Sequence, residues 1–368
     1  MTSTFRPSIN PTALIWVKRS FGLNEHQMAQ KLGVDEDTYI EFELGSERPT
    51  LRQLQGLSKS LKTPVAVFYL QSLPDGKPFP NDYRNRSEER PLSVGAHLTI
   101  RRALSTQEFL SDFEEWHGKR LEGFDSTDPV VLATQLRALL NYYPGRHMSK
   151  DYLFDIIRAK LEEMGILTLV LSLNTKEARG FSIYGAPPVI VVSASDAKAA
   201  QIFTILHEFA HIIKNESGLC QPFEPENSYS VESQCNSFAS NFLLTTSELR
   251  KELNSNYSID DPHLTTLAAR FKTSREVILI KLIEMGVANW DDYGVKRETW
   301  QREYDSQERF YKRANPVNKV LRENGNSLTT KVLDLTQNAV ISYTDAANML
   351  NVNVGYLRSV GERVGIET

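Results

Sequence analysis

The chain has 368 residues, more than one domain usually holds, so two or three domains are expected. Hydrophobic residues make up 40% and charged residues 24%, and the net charge of −4 gives no general attraction to nucleic acid or an anionic membrane. Two cysteines, Cys220 and Cys235, exclude a disulfide framework and suit a reducing compartment.

The first segment, "MTSTFRPSINPTALIWVKRSFG", has no apolar core long enough for a signal peptide. No run approaches the ~20 apolar residues needed to cross a bilayer. The expected setting is therefore cytoplasmic, with no membrane partner. Periodicity predicts short helices through 11–70: Ala13, Leu14 and Val17 mark one, Met28, Ala29 and Leu32 a second, and Tyr39, Ile40 and Phe42 a third. Leu51, Leu54, Leu57 and Leu61 mark a fourth. A Pro- and charge-rich stretch, "SLPDGKPFPNDYRNRSEERPLS", makes 71–93 a linker.

Residues 94–164 predict helices broken near "GFDSTDP" and "YYPGRH". The period then changes. "GILTLVLSL", "RGFSIYG" and "PPVIVVSA" read as strands, followed by a helix at about 197–214. From 230 onward the chain reads as helical, apart from loops near 253–262 and 323–327. The expected division is 1–70, the linker 71–93, a domain at 94–250 and a helical region at 251–368.

One pattern occurs three times: Ala, two intervening residues, a large apolar residue, a spacer, then Val or Thr. It lies in "MAQKLGV" (28–34), "LAARFKT" (267–273) and "AANMLNV" (346–352). In a helix-turn-helix the Ala permits close crossing and the apolar residues fill the junction. Small-plus-large spacing also occurs at any tight helix pair.

Chemistry concentrates in "FTILHEFAHII" (203–213). His207 and His211, four apart, project from one helix face and can place two nitrogens on one Zn²⁺. Glu208 is next to the first of these, where its carboxylate can reach a metal-bound water instead of the metal. A catalytic zinc needs a third protein ligand. Glu216 falls on the wrong side of the helix, His263 sits beside Asp261 and Pro262, and Cys220 and Cys235 qualify by softness. Glu232, in "VESQCNSFASNFLL", is the best candidate, with Asn236 one turn on to hydrogen-bond behind a ligand. Tyr184 and Tyr229 are candidate oxyanion donors.

"FTILHEFAH" followed by Glu-x-x-Cys-Asn-x-Phe-Ala-x-x-x-Leu-Leu resembles the ImmA/IrrE family of zinc metallopeptidases. The resemblance implies His207, His211 and Glu232 as ligands and Glu208 as base. It also takes in "PVIVVSA", "NDYR" and "LAARFKTSREVILIKLIEMG". Thr245 and Thr246 stand where that family often has a Pro. The implied fold is mostly helical α+β, with a zincin-like domain holding a small β-sheet.

The stretch from Ala13 to Leu70 resembles the Xre (Cro/cI-type) helix-turn-helix, with Gly33, Gly45 and Pro49 at matching places. Its second helix, "GVDEDTYIEFELG", contains no Lys or Arg. Glu25, Glu36, Asp37 and Glu41 stand where that fold meets DNA, and like charge repels phosphate. Basic Lys18, Arg19, Lys31, Arg48 and Arg52 lie nearby, so DNA, a basic protein partner or solvent alone are all open for this face.

Together the resemblances imply a cytosolic zinc endopeptidase of regulatory type. Its substrate would be a transcriptional regulator or the product of an adjacent gene, with the helix-turn-helix used for targeting. The alternative is an antitoxin or transcriptional regulator of a toxin–antitoxin or mobile-element module that acts by binding.

Overall fold

A computed structural model describes residues 5–73, 92–113, 116, 121, 124, 126–175, 177–215, 218–220, 230–253, 259–306 and 315–366. The chain divides into two compact units, Met1–Arg102 and Ala103–Thr368. Most of the expected linker, residues 74–91, lies outside the described residues.

In the first unit four helices, α1 (Pro11–Ser20), α2 (Glu25–Leu32), α3 (Glu36–Leu44) and α4 (Leu51–Leu61), precede a 3₁₀ turn at Val65–Tyr69. Each begins at a residue whose side-chain oxygen accepts a backbone N–H: Asn10, Asn24, Asp35 and Thr50. Their core holds Leu14, Val17, Met28, Leu32, Tyr39, Phe42, Leu54, Leu57 and Phe68. Ile40 lies in α3 with Tyr39 and Phe42, as expected. At 39% exposure it faces solvent, because Tyr39 and Phe42 already fill the buried side of α3.

The division between units falls within α5 (Val94–Ser111). Then come α6 (Pro129–Leu139), α7 (Lys150–Glu163), β1 (Leu167–Leu171), β2 (Gly180–Ile183), β3 (Val189–Ser193) and α8 (Lys198–Ile213). A short strand, β4 (Gly218–Cys220), precedes α9 (Val231–Leu243) and α10 (Thr246–Glu252). The rest is α11 (Asp261–Arg270), α12 (Arg275–Glu284), α13 (Trp290–Ser306), α14 (Pro316–Gln337), α15 (Tyr343–Leu350) and α16 (Leu357–Val364). The fold is mostly helical α+β.

The four strands lie in the order β1-β3-β2-β4. β1 and β3 are parallel, while β2 runs antiparallel to both β3 and β4. Every residue of β1, β2 and β3 is buried, which explains why β1 and β3 read as largely aliphatic runs, while β2 also carries Gly180 and Ser182. α8 packs against β2 and β3, α9 packs on α8 and α6, and α14 packs on β1. The loop expected at 323–327 is instead a kink within α14 at Gly325, whose φ is 75°. A side chain at Gly325 would collide with the buried pair Arg158 and Glu162, 3.0 Å apart.

All three copies of the repeated pattern end a helix in the same way. The spacer residue is left-handed, with φ of 68° at Gly33, 58° at Lys272 and 54° at Asn351. The next N–H reaches back to the Ala carbonyl: Val34 to Ala29 at 3.1 Å, Thr273 to Ala268 at 3.0 Å and Val352 to Ala347 at 2.9 Å. This is the six-to-one bond of the Schellman cap, which satisfies a terminal carbonyl while turning the chain.

Candidate metal centre

Twelve of the sixteen α8 residues are buried, because the helix is covered by the sheet on one side and by α7 and α9 on others. Its approach to the sheet depends on Gly180. A Cβ there would meet the Thr204 methyl and lie 2.6 Å from the Val191 carbonyl oxygen. Without a side chain, β2 lies directly against α8 one turn before Glu208.

His207 and His211 are 1% and 2% exposed, and their Nε2 atoms stand 3.2 Å apart. From α9, Glu232 brings Oε2 to 3.1 Å from His207 Nε2 and Oε1 to 3.1 Å from His211 Nε2. Ser230 caps α9, so Glu232 sits in its first turn, with its side chain 38% exposed. The opening of the site therefore lies on the glutamate side. Among the described residues this is the one group of three His, Cys, Asp or Glu side chains that could hold a metal.

The donor set fits a divalent metal. Two nitrogens and a carboxylate converge on one point, and their 3.1–3.2 Å spacings are close to the about 3.3 Å between neighbouring ligands of a tetrahedral zinc. Nδ1 of His207 is 2.9 Å from Asn236 Oδ1. A proton held on Nδ1 by that oxygen leaves Nε2 as a lone-pair donor. Burial pushes Glu232 upward, but hydrogen bonds from His207 and His211 overcome it and hold the carboxyl well below its usual range. Burial lowers His211, while the Cys235 thiol and Glu232 raise it, with a net upward shift.

Glu208 is fully buried. Neither carboxylate oxygen has a well-formed hydrogen bond from the described residues, although the Ser182 hydroxyl lies close enough to favour the ionised form. Burial pushes this carboxyl upward against the pull of His211 and His207. A buried carboxylate left so short of partners is a group with spare capacity to accept a proton.

Residues 161–282 match the protein-family model of the IrrE N-terminal-like domain, Peptidase_M78. Among curated proteins, none matches the chain. The matched segment resembles a metallopeptidase domain and holds His207, Glu208, His211 and Glu232, along with the sheet, α8 and α9.

The other sequence candidates are placed as follows. Asp260 caps α11 by accepting the His263 N–H, and the His263 ring nitrogen lies 2.8 Å from the same carboxylate, outside the metal-competent group. Cys235 is buried next to His211 instead of joining that group. Cys220 contributes backbone to β4. Tyr184 follows β2 and is 50% exposed. Glu216 and Tyr229 lie outside the described residues. Glu36, Asp37 and Glu41 are exposed on α3, whereas Glu25 is paired with Lys18 at 2.6 Å.

Sequence reasoning missed Ser182 and Gly180, the strand residues that shape the Glu208 pocket. A glycine and a serine within a short, fully buried strand were the available signal.

Proposed function

We propose that the protein is a zinc-dependent endopeptidase of regulatory type that cleaves a transcriptional regulator or similar DNA-associated protein. The observation that carries this reading is the convergence of His207, His211 and Glu232 beside the buried, under-bonded Glu208. His207, His211 and Glu232 would hold the ion, and Asn236 keeps the His207 tautomer that offers Nε2. Zinc held there supplies Lewis acidity, polarising a peptide carbonyl and lowering the pKa of a water. Glu208 takes the proton of the attacking water and delivers it to the leaving amine as the C–N bond breaks. Tyr184 is the described candidate to donate to the developing oxyanion.

The Xre-like unit serves as the targeting arm in this reading. Its support is the acidic, Lys- and Arg-free α3, which suits a protein better than a phosphate backbone.

The test is metal analysis followed by hydrolysis of a candidate regulator. Wild-type protein should hold about one zinc per chain, and His207→Ala should lose it. Glu208→Gln should keep the zinc and lose hydrolysis. Regulation that survives unchanged in Glu208→Gln would favour the alternative of an antitoxin or regulator acting by binding.

A further inference from the structure

The carboxylates around α3 divide into two sets. One set is consumed internally. Asp35 caps α3 by accepting the Thr38 N–H at 2.8 Å. Glu43 accepts from the Tyr39 hydroxyl and from Lys18, and Lys18 also holds Glu25. The other set is Glu36, Asp37 and Glu41, all exposed. Glu36 has the exposed His26 ring 3.6 Å away, while Asp37 and Glu41 have no ion pair among the described residues.

Two aliphatic side chains share this face. Ile40 is 39% exposed and Leu44 is 76% exposed, one helical turn apart. At 100° per residue, the order around the open arc is Glu36, Ile40, Leu44, Asp37, Glu41. An aliphatic ridge thus runs along the helix with carboxylates on both sides. No Lys or Arg occurs from Leu32 to Glu47 to offset them.

We infer that this face of α3 is a docking surface for a lysine- or arginine-rich amphipathic helix of a partner protein. The partner's aliphatic side chains would rest on Ile40 and Leu44, and its cations would meet Glu36, Asp37 and Glu41. Duplex DNA satisfies neither half of this surface, being polyanionic and offering no aliphatic helix. The inference names the partner chemistry of the targeting arm proposed above and rests on that reading for its role in proteolysis. Docking itself requires no metal.

The test is fluorescence anisotropy with full-length Glu208→Gln protein. The probe is a labelled helical peptide of lysine and leucine in amphipathic register, compared with a glutamate–leucine peptide and a mixed-sequence DNA duplex. The lysine peptide should bind alone, and more weakly as salt rises. Glu36→Gln/Asp37→Asn/Glu41→Gln and Ile40→Ser/Leu44→Ser should each weaken it by at least about tenfold. Circular dichroism should be unchanged, since all five side chains are exposed. A control set, Asp291→Asn/Glu298→Gln/Glu362→Gln, removes the same charge elsewhere and should leave binding intact. Equal loss in the control, no loss in the α3 variants, or preference for the duplex overturns the inference. Zinc-dependent hydrolysis by wild-type protein is measured separately. Its absence with docking intact would overturn only the peptidase reading, and the converse only the docking.

Discussion

The side-chain oxygen of Asn236 stands 2.9 Å from Nδ1 of His207, one turn along α9 from Glu232. One helix therefore supplies both a carboxylate to the metal-competent group and an oxygen that orients one of the imidazoles. Asn236→Ala should weaken zinc binding by about 10–100-fold, read by competition with a chelating dye. Asn236→Asp should retain more of the affinity, because it still accepts from Nδ1.

Gly180→Ala should destabilise the second unit by about 1–3 kcal/mol, since its methyl would overlap both Thr204 and the Val191 carbonyl. Thr204→Ser removes one of those two obstacles. The double variant should recover part of the loss and no more, as measured by urea denaturation.

Arg137 holds both oxygens of Glu248, at 2.8 and 3.0 Å, and also donates to the Phe242 carbonyl. Burial raises the Glu248 carboxyl, but the Arg137 and Thr245 hydrogen bonds outweigh it and set the pKa below the ordinary 4.5. A depressed folded-state pKa gives stability that is whole above pH 4.5 and lost as pH falls through the folded value. Glu248→Gln should cost about 1 kcal/mol at pH 7 and flatten the acid limb of the stability curve. Denaturation midpoints between pH 3 and pH 7 check this (roughly the range over which a carboxylate of this kind titrates).

Lys281 on α12 is 1% exposed, and its ammonium reaches Asn241 on α9 at 3.2 Å and Glu284 at 2.9 Å. Lys281→Met leaves the Asn241 oxygen without its donor and should cost about 1–3 kcal/mol. Glu284→Gln, at a side chain 44% exposed, should cost less. Thermal melts of both variants give the comparison.

Much of this architecture was legible in the sequence, for identifiable reasons. His207 and His211 share a face because four residues is close to one helical turn, and Glu232 and Asn236 obey the same spacing on α9. β1 and β3 announced themselves because burial on both faces makes them mostly aliphatic. Contacts that depend on chain approach were not legible. Gly180 matters only because α8 passes directly over it, and Ser182 only because the register of β2 aims it at Glu208. β4 has three residues, too short to carry a period. The exposure of Ile40 was not legible either, since its apolar character does not tell that the inner side of its helix is already filled by Tyr39 and Phe42. At 323–327 the Gly and Asn residues suggested a loop, yet one left-handed glycine was enough to bend a continuous helix around Arg158.

The shared ending of α2, α11 and α15 bears on what such sequences mean. A buried Ala, a large side chain, a left-handed residue and a returning N–H describe how one strand of peptide turns a corner. Nothing in that geometry refers to what the following helix touches. After the first corner the chain presents acids and aliphatics, and after the second it presents a lysine sealed inside the molecule. Six residues of sequence can thus be a spelling for changing direction, copied wherever a compact chain must double back. Kinship in function has to be sought in the side chains displayed beyond the corner.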